Sequence, residues 1–341
     1  MSSSHTLSGF RYGDSLSPAF DQVRAELPLY RGLPPEPVAP GTDCVVVMRG
    51  EQPVARASLG VALGLRGVEG ASGLIGHFEA HDEGGARAVL AHACASLAER
   101  GVRRVLGPMN GSTWGRYRFA LPDADPAVPT PAGFLGEPVN PADYPAWFEA
   151  AGFTVAARYE SRVDDAPHEP AADARELAKR VRATGIRVRT LDPADFVAES
   201  RVLFELSVAS FADNPYYTPI SWEEFRAQYE KLQGLLRPEL VLFAENVAGC
   251  AVAFQFAYLD PLGPALGSAP RVVVKTVATL PEARGIGLAG HMLDMLRERS
   301  VALGAQSMVH ALMHVTNFSM KMSSRHRSRV FRRYALYEWR P

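Results

Sequence analysis

The sequence predicts an α/β (α+β) chain made of two similar units in tandem. Short β-rich runs alternate with amphipathic helical stretches along most of the 341 residues. Their order repeats: a strand pair, another strand, a long helix, a strand, a short helix and a last strand occur once in each half. The length itself suits two domains better than one. The expected division is an N-terminal arm over 1–40, a first domain over 41–165, a linker with a connector helix over 166–185, and a second domain over 186–341.

Residues 1–40 are rich in Ser and Pro, which reads as an extended arm with a short helix near Pro18–Leu27. Strands are expected at Cys44–Met48, Val54–Leu65 and Gly73–Ala80, the first two joined by a Gly-Glu-Gln-Pro turn. In Gly84–Arg100, Ala86, Val89, Leu90, Ala93 and Leu97 recur at helical spacing, and Gly101 stops the helix. A strand at Val102–Leu106, a long Pro/Gly/Asp-rich loop, a helix at Tyr144–Ala151 and a strand at Phe153–Arg162 complete the first unit. The Pro-containing stretch 164–172 marks the boundary, and 173–183 is the connector helix. The second unit has strands at Ile186–Thr190, Leu240–Glu245, Ala248–Tyr258, Arg271–Leu280, Ser307–Leu312 and Val330–Trp339. Its helices are expected at Pro193–Ser210, Trp222–Leu235, Gly287–Leu303 and Asn317–Ser324, and Ser221 with Glu224 has capping-box spacing.

Composition narrows the function classes. The net charge is −1, which gives no general support for a nucleic-acid or anionic-membrane partner. Only Lys179, Lys231, Lys275 and Lys321 are lysines; the remaining basic charge is arginine. Cys44, Cys94 and Cys250 are scattered and odd in number, which argues against a disulfide framework or structural zinc site. The N-terminus has no signal-peptide pattern, and no stretch approaches the roughly 20 apolar residues of a membrane span. A cytoplasmic protein without a metal cofactor is expected.

The most informative segment is Arg271–Gly290, where a β-branched strand runs into Pro281 and a glycine-rich turn opens a helix. Free backbone N–H groups at such a helix start bind phosphate or pyrophosphate. Gly285 and Gly287 allow close approach, and Arg284 can add a charged contact. The P-loop requires Lys-Ser/Thr where this chain has Leu288-Ala289. Gly285, Gly287 and Gly290 satisfy GxGxxG, but the acidic residue a dinucleotide site expects about 20 residues later is missing.

Val277-Ala278-Thr279-Leu280-Pro281-Glu282-Ala283-Arg284-Gly285-Ile286-Gly287-Leu288-Ala289 resembles the acyl-CoA-binding segment of the GNAT acyltransferase superfamily, whose signature is a strand, a Pro-Glu turn and Arg/Gln-x-x-Gly-x-Gly/Ala. The resemblance implies two tandem GNAT-like domains, each a mixed, mostly antiparallel sheet flanked by helices. It implies acetyl-CoA or another acyl-CoA as co-substrate, held by Val277, Ala278 and Thr279, by Arg284, Gly285, Ile286, Gly287, Leu288 and Ala289, and by Asn317. The family often has a tyrosine seven residues after that asparagine, as the acid that protonates the leaving thiolate; this chain has Ser324, with Tyr334 and Tyr337 as substitutes. The first half is similar to a degenerate repeat, in which Asp82 and Glu83 stand where a pyrophosphate would bind.

Glu245 and Glu205 are the candidate bases. Asn214, Tyr216 and Tyr217 lie in the loop that covers the acceptor site in GNAT folds, and Asn110, Trp114, Arg116, Tyr117 and Arg118 form a second polar and aromatic cluster. His310 and His314 sit on an expected strand end rather than a helix face, which does not favour a metal site. The expected activity is N-acyl transfer to a small-molecule amine, by a monomer or homodimer. Decarboxylation or O-/S-acyl transfer is one alternative, and a non-catalytic acyl-CoA sensor or scaffold is another.

Overall fold

The computed structural model describes residues 5–31, 33, 36–123 and 132–341; the rest of the expected arm and of the long loop lie outside them. The first half contains β1 (His5–Arg11), α1 (Ser17–Glu26), β2 (Asp43–Arg49), β3 (Gln52–Leu63), β4 (Ala71–Ala80), α2 (Glu83–Glu99), β5 (Val105–Gly107), β6 (Phe119–Ala120), α3 (Tyr144–Ala150) and β7 (Thr154–Asp164). There follow α4 (Ala174–Ala183), β8 (Arg187–Thr190), α5 (Phe196–Phe211), α6 (Trp222–Glu230), β9 (Val241–Glu245), β10 (Ala251–Leu259), α7 (Leu262–Ala265), β11 (Arg271–Thr279), α8 (Leu288–Ala302), β12 (Ser307–His314), α9 (Phe318–Ser324) and β13 (Arg329–Trp339).

Local chemistry explains the long elements. In α2, Ala86, Val89, Leu90, Ala93 and Leu97 are buried on one stripe, and Gly101 leaves the helix at φ 79°. In α8, Met292, Leu293 and Leu296 are fully buried, each contributing about 1.5–3 kcal/mol. Gly304, at φ 84°, follows the end of α8. The Ser221–Glu224 capping box is formed as its spacing predicts. The central strands are apolar on both faces because helices cover both: Leu242 and Phe243 of β9 are both fully buried, in different clusters.

The two halves share a single sheet. Its strand order is β1-β2-β3-β4-β5-β13-β7-β12-β11-β10-β9-β8, with β6 paired to β13. The last strands are exchanged: β13 enters between β5 and β7, and β7 lies beside β12. The boundary expected near residue 165 therefore divides the chain but not the sheet. The sequence shows that a strand is present, not which neighbour completes its hydrogen bonds. The arm is also corrected. Residues 5–11 form β1, paired with β2 throughout, and Phe10 packs edge-on against Phe20 of α1.

In each half the strand before the long helix is parallel to the strand after it, over a short stretch. β4 pairs β5 at Gly73–Leu74, and β11 pairs β12 at Arg271–Val274. Beyond these points the strands diverge. β11 also bulges: Val274 and Thr276 pair with Ala257 and Phe256, leaving Lys275 as the extra residue.

Buried ion pairs hold the exchanged strands. Arg297 of α8 bonds Asp164 at the end of β7 at 2.8 Å, with side chains 4% and 1% exposed. It also donates to the carbonyls of Ala166 and Glu169. Arg332 of β13 reaches Glu137 at 2.7 Å. Arg297→Ala, which strands the Asp164 carboxylate, is expected to cost about 3–5 kcal/mol. Denaturant melts should show that loss in one transition common to both halves; two separate transitions would contradict the shared sheet.

Candidate functional site

The divergence of β11 from β12 opens the middle of the sheet on the C-terminal side. From Thr276 to Thr279, β11 pairs with β10 on one side and has no strand partner among the described residues on the other. An open strand edge offers main-chain donors and acceptors to an extended ligand. Two cavities meet there. The larger, of about 720 Å³, runs along Val277–Thr279 and the glycine loop to the start of α8. The smaller, of about 290 Å³, lies between the two halves. Phe211, Asn214, Val277, Asn317, Ser319 and Met322 line both.

The larger cavity ends on an uncapped helix. Gly287 is the N-cap of α8 in the left-handed region at φ 86°, and no side chain caps the helix. The N–H groups of the first turn therefore remain available, with the dipole adding positive potential. Arg180, Arg284, Lys321 and Arg325 line the same cavity. Arg284 donates to the Thr279 carbonyl, and Arg325 is held by Asp173 and Asp294. The donor set fits a polyphosphate such as the coenzyme A tail. Gly285 has φ 82°, and a Cβ on Gly287 would lie 2.5 Å from Leu177 Cδ2. Leu177 belongs to α4, so the expected connector helix is also a wall of this cavity.

The corresponding place in the first half is closed. Asp82 caps α2 by accepting from Gly85 N at 2.9 Å, and Arg49 pairs with Asp82 at 2.6 Å. Glu79 is buried and bonded by Arg24 at 2.6 Å and by Tyr144. Asn110 accepts from His77 N at 2.8 Å and donates to Glu36. These groups fill the gap between β4 and β5 and leave a pocket of only about 50 Å³.

The smaller cavity is aromatic. Trp114, Tyr117 and Tyr159 come from the first half, and Phe211, Tyr217 and Tyr229 from the second. Backbone bonds between Arg66 and residues 216–217 clamp the two sides, and Trp114 Nε1 donates to the Thr218 carbonyl. Several polar atoms of its wall have no partner: Ser207 Oγ, Tyr217 Oη and His310 Nε2. Burial pushes the Tyr159 hydroxyl well above, and the Tyr229 hydroxyl to about 12.

His310 Nδ1 lies 2.7 Å from Ser323 Oγ, which lies 2.8 Å from Ser328 Oγ. Ser328 spends its proton on the Ser323 carbonyl, so Ser323 donates to Ser328 and His310 donates from Nδ1. The network thereby assigns a free lone pair to Nε2. Burial lowers the His310 pKa to about 4, so the ring is neutral at pH 7. His314 Nδ1 accepts from Thr316, which puts its proton on Nε2; burial and the nearby Arg118 charge lower its pKa as well.

Several expected site residues lie elsewhere. Glu245 is 2.5 Å from Arg189 and lines neither cavity, because β9 is three strands from the gap. Glu205 is exposed and paired with Arg201. Ser324 donates to the Met320 carbonyl on the outer side of α9 and lines neither cavity. Tyr334 is fully buried and bonded to Glu137 and Ser161, and burial raises its pKa far beyond use as an acid. Its role is positional: Ser161 receives the N–H of Leu312, which sits at φ 58° in a bulge of β12. Tyr337 bonds Glu149 instead. Asn110 belongs to the closed gap, Tyr216 donates to the Ala156 carbonyl, and Ile286 packs into the core. The structure does bring together Val277, Ala278, Thr279, Arg284, Gly285, Gly287, Leu288, Ala289, Asn317 and Asn214, and places Tyr217 in the smaller cavity. Sequence reasoning missed Lys275, His310 as a site residue, Ser207 and Tyr159. Lys275 carried a signal: it interrupts an apolar strand in a chain with four lysines.

Among the described residues no cluster of His, Cys, Asp or Glu is arranged for a metal, and no helix is long and apolar enough to cross a membrane.

No protein-family model matches the sequence, and no curated protein matches it. Solved structures do match. One is a GCN5-related glucosamine N-acetyltransferase region in a fungal multi-domain GH3 β-N-acetylglucosaminidase, at 13% identity and TM-score 0.60, covering 99% of this chain; this chain spans 38% of that one. A GCN5-related N-acetyltransferase from Sphaerobacter thermophilus matches at 15% identity and TM-score 0.51, over 98% of this chain and 96% of that one. A tandem GNAT protein from the clavulanic acid biosynthesis pathway matches at 13% identity and TM-score 0.53, over 98% of each chain. The fold is the tandem GNAT fold.

The buried imidazoles make stability depend on pH. His310, near 4, and His326, near 3, are held below the ordinary value of 6.5. The unfolded chain therefore takes up these protons first, and the native state loses stability as pH falls from 6.5 toward 4. The expected slope is about 1.4 kcal/mol per pH unit for each group. Melting temperatures between pH 7 and 5 should fall, and His310→Gln should flatten the slope; an unchanged slope would refute the assignment.

Proposed function

We propose that the chain is an acyl-CoA-dependent N-acyltransferase, acetyl by preference, that acts on a small-molecule amine in a ternary complex. The junction of the two cavities at Val277 and Asn317 is the observation that carries this reading. The larger cavity has the length and charge for a nucleotide-tailed thioester, and the smaller receives the acceptor. The tandem GNAT fold supports the same reading. The first half supplies the wall of the acceptor cavity and binds no coenzyme of its own.

The thioester, when bound, supplies the activated acyl group. The chain supplies positioning and hydrogen bonds to the reacting groups. The first turn of α8, with Arg284 and Lys321, holds the phosphates. The open edge of β11 and the Asn317 side chain orient the arm. The free lone pair of His310 Nε2 accepts a hydrogen bond from the attacking amine and orients it, and Ser323 and Ser328 fix the ring. The Nε2–H of His314 is the donor available to the departing sulfur, in place of the displaced Ser324.

Calorimetric titration with acetyl-CoA, free CoA and NADH tests the binding half of the proposal. One coenzyme A per chain with NADH silent is expected, and Arg284→Glu should weaken it about tenfold to a hundredfold. Binding at two sites, or none, contradicts the reading. Thiol release with an amine panel tests the chemistry, and His310→Phe should lower kcat about a hundredfold with acetyl-CoA affinity intact. Binding without any thiol release makes the protein a sensor, and carbon dioxide from malonyl-CoA makes it a decarboxylase.

A further inference from the structure

The smaller cavity has a charge pattern that the transfer reaction alone does not require. Lys275 lines it from the bulge of β11, and among the described lining residues there is no aspartate or glutamate. Burial raises the hydroxyls of Tyr159, Tyr217 and Tyr229 and lowers the imidazoles of His310 and His314, so these groups are neutral at pH 7. Lys275 makes no hydrogen bond or ion pair with the other described residues. Solvent reaches it through the cavity, yet protein surrounds it, and the loss of hydration lowers its pKa. Arg118 adds a second positive charge behind the wall, its guanidinium lying 3.9 Å from the Tyr117 ring centre and 4.3 Å from that of Tyr159. A cationic amine held only by its charge would be repelled here. A lysine that faces a cavity without any acidic group among its described lining residues is instead open to an anion.

We propose that Lys275 binds a carboxylate in this cavity, so that one of the two molecules meeting there is acidic. The inference deepens the acyl-transfer reading, on which it depends for the cavity's role. The carboxylate has two possible sources. On the acceptor, it makes the substrate an amino acid or similar compound, with an aromatic or apolar body against Trp114, Phe211 and Tyr229 and its polar atoms on Ser207 Oγ and Tyr217 Oη. On the acyl chain, it makes the donor a dicarboxylic acyl-CoA. The volume of about 290 Å³ suits a molecule of amino-acid size in either case.

The test uses probes of one shape and different charge. Phenylacetate, phenylacetamide and phenethylamine are titrated into the free protein, then succinyl-CoA is compared with butyryl-CoA. If the acceptor is acidic, phenylacetate binds roughly tenfold or more tighter than the amide, with the amine weakest. If the donor is acidic, succinyl-CoA gains the same factor over butyryl-CoA. Lys275→Gln should erase the preference and Lys275→Arg should retain most of it. Acetyl-CoA affinity, measured in the same variants, should not change and reports that the fold is intact. No preference for either carboxylate, or a preference that survives Lys275→Gln, overturns the proposal. Failure of the wild-type protein to bind acetyl-CoA would instead count against the acyl-CoA reading, since the phenyl series needs no coenzyme.

Discussion

The antiparallel pairing of β7 with β13 is the constraint on which the rest of the molecule depends. Each strand closes its own half in sequence, but in space each lies against the other half. Without β13, the edge of β5 is open; without β7, the edge of β12 is open. Unpaired strand edges inside a sheet are costly, so neither half is complete alone. The buried pairs Arg297–Asp164 and Arg332–Glu137 sit at this seam, together with the ion pairs of Arg329 and Arg333 to Asp165 and Glu160. Arg329, Arg332 and Arg333 of β13 are thus all paired at the seam.

The seam also builds the site. Because β7 takes the place beside β12, its Tyr159 lines the smaller cavity and its Ser161 holds the bulge of β12. The loop that carries Trp114 and Tyr117 follows from the first half and closes it. The smaller cavity is therefore a product of both halves together, and the larger cavity is lined by the second half and α4.

The duplicated units show how small local changes assign different roles. Both have a parallel pair that diverges and a long helix that starts nearby. In the first, Asp82 satisfies the helix start and Glu79, Arg24 and Tyr144 fill the gap. In the second, Gly287 leaves the helix start open and Lys275 leaves the gap charged. A carboxylate cap repels phosphate and a glycine cap admits it. The asymmetry comes from a few side chains on one backbone plan.

The sequence by itself determined what depends on short range. The helix starts at Ser221 and Gly287, the stop at Gly101, the apolar stripe of α8 and the glycine loop follow from residues a turn or two apart, and all were legible. So were the duplication and the closed first-half helix start. Only the tertiary structure decided what depends on partners distant in sequence. It exchanged β7 and β13, drew residues 5–11 into the sheet and moved Glu245 three strands from the gap. It also buried Tyr334 as a support for Ser161, and gathered Trp114, Tyr159, Ser207, Lys275 and His310 around one cavity. The physical reason is the same throughout: helix capping and periodicity are satisfied within a segment, whereas a strand edge, a buried charge or a cavity wall is satisfied only by whichever segment arrives beside it.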